Sequence, residues 1–171
     1  MTDELLARYL SEPDAAGLFT RLARLTLRVE AFQRRCLEGL DLNFGDFALL
    51  RVLILAEPDH QLLPTELGEL LLRSSGGVTQ MVDRMESRGL LRRSRDPSDG
   101  RRVVVGLTAE GRRLGEVASE RYRKGRAALL ESVDPAEVEV LDRSITRLLA
   151  LLDADAEADA GQAADRERPD A

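Results

Sequence analysis

The chain has 171 residues and a formal net charge of −6; 43% of its residues are hydrophobic, 33% are charged, and none is tryptophan. That length suits one domain with a core of Leu, Val and Ala. The acidic N-terminus has no apolar run of signal-peptide type, and no segment approaches about 18 uninterrupted apolar residues, so neither secretion nor a membrane span is expected. A single cysteine, Cys36, excludes an internal disulfide and fits a cytoplasmic protein.

The charge is distributed unevenly. Residues 73–126 carry fourteen basic and seven acidic side chains, whereas residues 153–171 carry seven acids and two arginines. A basic block on a near-neutral body is how proteins meet phosphates.

In chain order, residues 14–40 predict a long helix with a narrow apolar stripe at three-four spacing: Leu18, Leu22, Leu25, Val29, Phe32 and Cys36. Asn43 is the expected N-cap of an apolar helix ending near Glu57, and "PDHQLL" reads as a turn. "PTELGELLL" forms a short helix from Pro64. The next helix starts at Ser74 and buries Val78, Met81, Val82 and Met85, with Gly89 as its stop. Two extended runs, "LLRRSR" and "RRVVVGL", join through "DPSDG", whose Asp, Pro and Gly suit a tight hairpin. In the second run Val103, Val105 and Leu107 alternate as one buried face.

Thr108 caps a helix to about Glu131, and Asp134-Pro135-Ala136-Glu137 starts a last helix with Val138, Leu141, Ile145, Leu148 and Leu152 at three-four spacing. Residues 153–171 lack an apolar period and are expected to be a disordered acidic tail.

Short helix, turn, polar-fronted helix and hairpin make a winged helix-turn-helix, whose second helix enters the major groove of double-stranded DNA. The fold class is therefore mainly α with a small β-hairpin wing. The recognition helix opens on Ser74, Ser75, Gly76 and Gly77, small residues that let backbone N–H groups approach phosphate. Thr79 and Gln80 carry the donors and acceptors to read base edges; the alternative is that they are merely solvated. Phosphate contacts are expected from Arg73, Arg84, Arg92 and Arg93, and from Arg101 and Arg102 at the wing tip.

The run from "LLPTELGELLLRSSGGVTQMVDRMESRGLL" through "RRSRDPSDGRRVVVGLTAEGRRL" resembles the MarR family of bacterial transcription regulators, and the flanking helices extend the likeness to about residues 14–152. The resemblance implies a single domain over residues 1–152, with a winged helix-turn-helix at about 44–108 between dimerisation helices at about 14–40 and 109–152. It implies a homodimeric repressor on a pseudo-palindromic operator, released by a small effector that is often aromatic and anionic. The stripes Leu18, Leu22, Leu25 and Val138, Leu141, Ile145, Leu148, Leu152 suit that dimer, although each can also pack within one subunit. The family's Asp-x-Arg pattern fits Asp99-Gly100-Arg101, with Asp99 steering the arginine and Arg102 second to it. "SSGG.T" and "PTEL" resemble the urate-responsive branch, but the lack of tryptophan and Ala48 in place of that branch's acidic residue argue against urate. Effector-pocket residues stay unassigned.

Four other readings are weaker. Some relatives sense oxidants through an N-terminal cysteine, but Cys36 falls on the apolar stripe, where free thiols are commonly inert. His60, alone in a turn, has no metal-ligating neighbours, so no metal or other cofactor is expected. An enzyme would need a phosphate loop, nucleophile set or paired cysteines, and none is present. A winged module used only for protein contacts would not need the basic block.

Overall fold

A computed structural model describes residues 15–56, 58–96 and 99–166. Six helices and three strands follow among them: α1 (Ala15–Cys36), α2 (Phe44–Leu55), β1 (Gln61–Leu62), α3 (Pro64–Leu71), α4 (Ser75–Ser87), β2 (Leu91–Arg95), β3 (Val103–Leu107), α5 (Ala109–Leu130) and α6 (Pro135–Arg166). The chain forms two units, the first ending at Arg126 and the second beginning at Ala127.

The first unit has one core. Leu49, Leu50 and Leu53 of α2, Leu67 of α3, Val78, Val82 and Met85 of α4 and Val105 of β3 are all nearly inaccessible. The expected buried face of α4 is the observed one, because its four apolar positions recur at the helical period. Phe32, Phe44, Phe47 and Tyr122 stack beside this core with ring centroids 5.4–6.0 Å apart.

Local chemistry sets the boundaries. Asn43 Oδ1 accepts from Asp46 N at 2.9 Å and Asp46 Oδ2 accepts from Asn43 N at 3.4 Å, a reciprocal cap at the start of α2. Ser74 Oγ accepts from Gly77 N at 3.3 Å, so Ser74 is the cap of α4 and not its first turn. Gly89 ends that helix at φ +71°, a region favouring glycine. Thr108 then joins three pieces: its N–H donates to Leu90 O at 3.1 Å, its hydroxyl donates to Gly89 O at 2.7 Å, and its Oγ1 accepts from Gly111 N at 3.0 Å.

The sheet has the order β1-β3-β2, antiparallel throughout. β1 corrects the reading of "PDHQLL" as a turn only: Gln61 pairs with Gly106 and Leu62 with Val105. Two residues are too short to show a period of two, and the pairing comes from the free edge of β3. His60 is likewise more than a surface loop residue. At φ +53° its Nδ1–H donates to Ile54 O at 2.9 Å, closing the C-terminal end of α2. Val103 is 39% exposed, whereas Val104 and Val105 are both buried. Beyond Val103 every residue of β3 is buried, so the expected one-face alternation fails along the strand. Pro97 and Ser98 of that turn, Glu57 and residues 1–14 lie outside the described residues.

In α1 the helix stops at Cys36, short of residue 40, and the chain passes Gly39 and Asp41 at positive φ. Its stripe divides. Phe32 stacks on Tyr122 of α5, and a Cβ added at Gly125 would lie 2.6 Å from Cys36 Sγ, so these two side chains pack within the chain. Leu18, Leu25 and Val29 are exposed.

The second unit is the end of α5, a turn, and α6. Asp134 Oδ1 accepts from Ala136 N at 2.9 Å, as its N-cap position demands. Along α6, Val140, Leu141, Ile145, Leu149, Leu151 and Leu152 are exposed. The helix runs to Arg166, which corrects the expectation of disorder from residue 153. "DADAEADAGQAADR" has no apolar face, but its six alanines supply helix propensity without one. Residues 167–171 lie outside the described residues.

Candidate nucleic-acid interface

α3 and α4 are joined by a turn in which Leu72 takes φ +51° and Arg73 N donates to Gly68 O at 2.9 Å. The turn is tight because Gly68 carries no Cβ: one added there would lie 3.1 Å from Arg73 O. With Val78, Met81, Val82 and Met85 inward, Ser75, Gly76, Thr79 and Gln80 are exposed together on the opposite face. A Cβ at Gly76 would meet nothing within 4 Å, so the chain's own packing makes no demand for glycine at that position. The Thr79 hydroxyl donates to Ser75 O at 2.9 Å, leaving its oxygen free to accept. Gln80 lines a recess of about 380 Å³ with Asn43, Arg73, Met81 and Arg84.

The six arginines expected at DNA divide into two groups. Arg73, Arg92 and Arg101 are exposed, and their guanidinium groups have no carboxylate partner among the described residues. The others are engaged. Arg84 pairs with the buried carboxylate of Asp46, which Arg88 Nη1 also approaches at 3.7 Å. Arg93 binds Asp83 at 2.6 Å and also Glu86. Burial works against its charge, but those hydrogen bonds outweigh it and hold its pKa above the ordinary arginine value. Arg84 and Arg93, expected among the phosphate contacts, are thus also tied to carboxylates within the chain.

The wing tip also differs from expectation in detail. Asp99 Oδ1 accepts from the backbone N–H of Arg101 at 3.1 Å, while its Oδ2 faces Arg102 Nε at 3.4 Å. Asp99 thus steers the Arg102 side chain, and fixes only the backbone of Arg101. The turn is closed by Asp96 N donating to Arg102 O at 3.0 Å and Arg102 N donating to Asp99 O at 2.9 Å.

Sequence reasoning missed Asp46. Its position three residues after the cap Asn43 was the available signal for a cap; its bond to Arg84, 38 residues away, left no local trace. The pocket residues left unassigned from the sequence were a further gap; the structure has a cavity of about 590 Å³ lined by Leu25, Val29, Gln33, Arg34, Phe44 and Arg73. Among the described residues no cluster of His, Cys, Asp and Glu fits a metal, and no helix is long and apolar enough to cross a membrane.

A helix-turn-helix whose second helix presents an exposed polar face, followed by an arginine-tipped hairpin, defines the winged class of DNA-binding proteins. A model of the MarR family matches residues 40–102. The uncharacterized HTH-type regulator YhbI of Bacillus subtilis is 30% identical over 146 residues, covering 81% of this chain and 94% of that protein. PcaV of Streptomyces coelicolor, a transcriptional regulator solved with its natural ligand, is 26% identical with a TM-score of 0.67, covering 82% of this chain and 93% of that one. MepR of S. aureus, solved as a DNA complex, shares the fold at 22% identity and a TM-score of 0.69, covering 81% of this chain and 98% of that one. The chain belongs to the MarR family of transcriptional regulators. Its relatives are regulators and not enzymes.

Proposed function

We propose that this regulator is a cytoplasmic homodimeric repressor that holds a pseudo-palindromic operator through two copies of α4 and is released by a small anionic, aromatic effector. One observation carries the DNA part: Arg73, Arg92 and Arg101 have no carboxylate partner among the described residues, in the unit that exposes Ser75, Gly76, Thr79 and Gln80. Uncompensated cations on a winged fold suit phosphate, and the open space over Gly76 suits close approach of a DNA backbone. The existence of a DNA complex of the similarly folded MepR supports DNA binding through this fold.

The dimer rests on exposed apolar surface. Leu18 and Leu25 of α1, and Leu141, Ile145 and Leu152 of α6, are exposed in the single chain, and Leu22, Val138 and Leu148 are half-exposed. A soluble monomer rarely leaves a stripe of that length bare. The effector reading rests on the cavity beside α1, where Arg34 and Arg73 can meet an anion and Phe44, Leu25 and Val29 an apolar ring. The natural-ligand complex of PcaV supports it.

A salt titration tests the DNA reading. Phosphate contacts by Arg73, Arg92 and Arg101 in each subunit of a dimer predict a slope of log affinity against log salt of about −5, at roughly 0.9 per neutralised phosphate. A slope near zero would exclude phosphate-mediated binding.

A further inference from the structure

Arg93 sits where a phosphate contact was expected, yet it is the centre of a clamp. Its Nη2 donates to Asp83 Oδ1 at 2.6 Å, its Nη1 to Glu86 Oε2, and its backbone N–H to Glu86 Oε1 at 3.1 Å. Asp83 and Glu86 lie three apart in α4 and so share a face. With two carboxylates on one guanidinium, the cluster carries a net charge of −1, the wrong sign for phosphate, inside a block that is otherwise basic. What the cluster supplies is geometry. Two side-chain bonds and one backbone bond tie β2 to α4, and Arg93 is in register with Val105 of the fully buried centre of β3. From that tie point the hairpin runs two more paired residues, Ser94 with Val104 and Arg95 with Val103, to the turn that carries Arg101 and Arg102.

We infer that Arg93 is a positioning residue: through Asp83 and Glu86 it fixes the wing relative to the recognition helix, and thereby sets where Arg101 meets DNA when α4 is in its groove. This rests on the wing reading proposed above. An arginine clamp of this kind selects among operators by the spacing between the two contacts, without touching either. Its removal should cost specific binding more than non-specific binding, because a loose wing still finds phosphate somewhere.

The test is a double-mutant cycle in the full chain, with anisotropy measured on a genomic fragment recovered by the protein and on random DNA of equal length. Arg101→Ala should weaken binding to the fragment by about tenfold or more in the unmodified chain, but by less than about threefold when Arg93→Gln is already present. Glu86→Gln supplies the second arm, and is informative even where Arg93→Gln does not fold. It frees part of a guanidinium and removes a negative charge, so simple electrostatics predicts tighter binding to both DNAs. Positioning predicts tighter binding to random DNA and weaker binding to the fragment, with the melting temperature of the dimer unchanged. Losses that multiply in the cycle, or a Glu86→Gln variant that gains on both DNAs, would overturn the inference while leaving the wing reading intact. An Arg101→Ala variant with full affinity in the unmodified chain would overturn the wing reading and the inference together.

Discussion

Gly111→Ala is expected to melt roughly 10 °C below the unmodified chain, a loss of about 3 kcal/mol or more. A Cβ at Gly111 would lie 1.9 Å from Leu90 O, a backbone atom that cannot swing aside. The start of α5 would have to withdraw, and with it Thr108, whose hydroxyl bridges Gly89 O and Gly111 N and whose N–H reaches Leu90 O. Each lost bond removes about 1 kcal/mol on top of the overpacking. Gly89 and Leu90 lead from α4 into the wing, so the variant should also lose DNA binding at temperatures where it remains folded. Thermal unfolding followed by circular dichroism measures the first effect; a shift of less than about 2 °C would contradict the close docking of α5 on Leu90. The spacing of Thr108 and Gly111 is thus explained by packing: a cap that binds across the junction, then a glycine because backbone occupies the space of a side chain.

The second large effect concerns the wing. Arg101→Ala is expected to weaken binding to specific DNA by about ten- to a hundredfold, while Arg113→Ala costs less than about threefold. Both residues are exposed arginines of the basic block, so net charge changes identically. They differ in occupation. Arg113 Nε and Nη2 bind Glu110 at 2.8 and 2.6 Å, whereas the Arg101 guanidinium has no carboxylate partner among the described residues and stands at the tip of a closed turn. Arg102, held by Asp99, should fall between them. Equal losses at Arg101 and Arg113 would mean that the block acts only through its overall field and that the wing makes no particular contact.

Much of the DNA-facing architecture was legible in the sequence because it is local. The buried face of α4 follows from four apolar residues at the helical period, and Asn43, Ser74, Thr108 and Asp134 act as caps within three residues of themselves. What stayed hidden depends on distance in the chain. Arg84 and Arg93 look like Arg92 in composition and spacing; only the fold brings Asp46 to the first and the pair Asp83 and Glu86 to the second. β1 exists because β3 offers it an edge, and His60 caps α2 because the chain reverses there. The helix through residues 153–166 escaped notice for another reason: an apolar period was sought where alanine alone was sufficient.

The split among the arginines also changes how the interface works. α4 is held by Asp46 on one side and by the wing clamp on the other, so its orientation is set before any DNA arrives. Removing the Arg84 guanidinium leaves the buried Asp46 carboxylate with Arg88 alone, at 3.7 Å, and a buried charge that loses its close partner costs more than the pair contributes when intact.

The central claim, sequence-specific DNA recognition by a pair of these winged domains, is tested most directly by selecting genomic DNA with the purified full-length protein. The account predicts enrichment of fragments sharing an inverted repeat, with half-site centres about 10 bp apart, one helical turn. Recovery of fragments with no shared repeat, bound no more tightly than random sequence at the same salt, would contradict it.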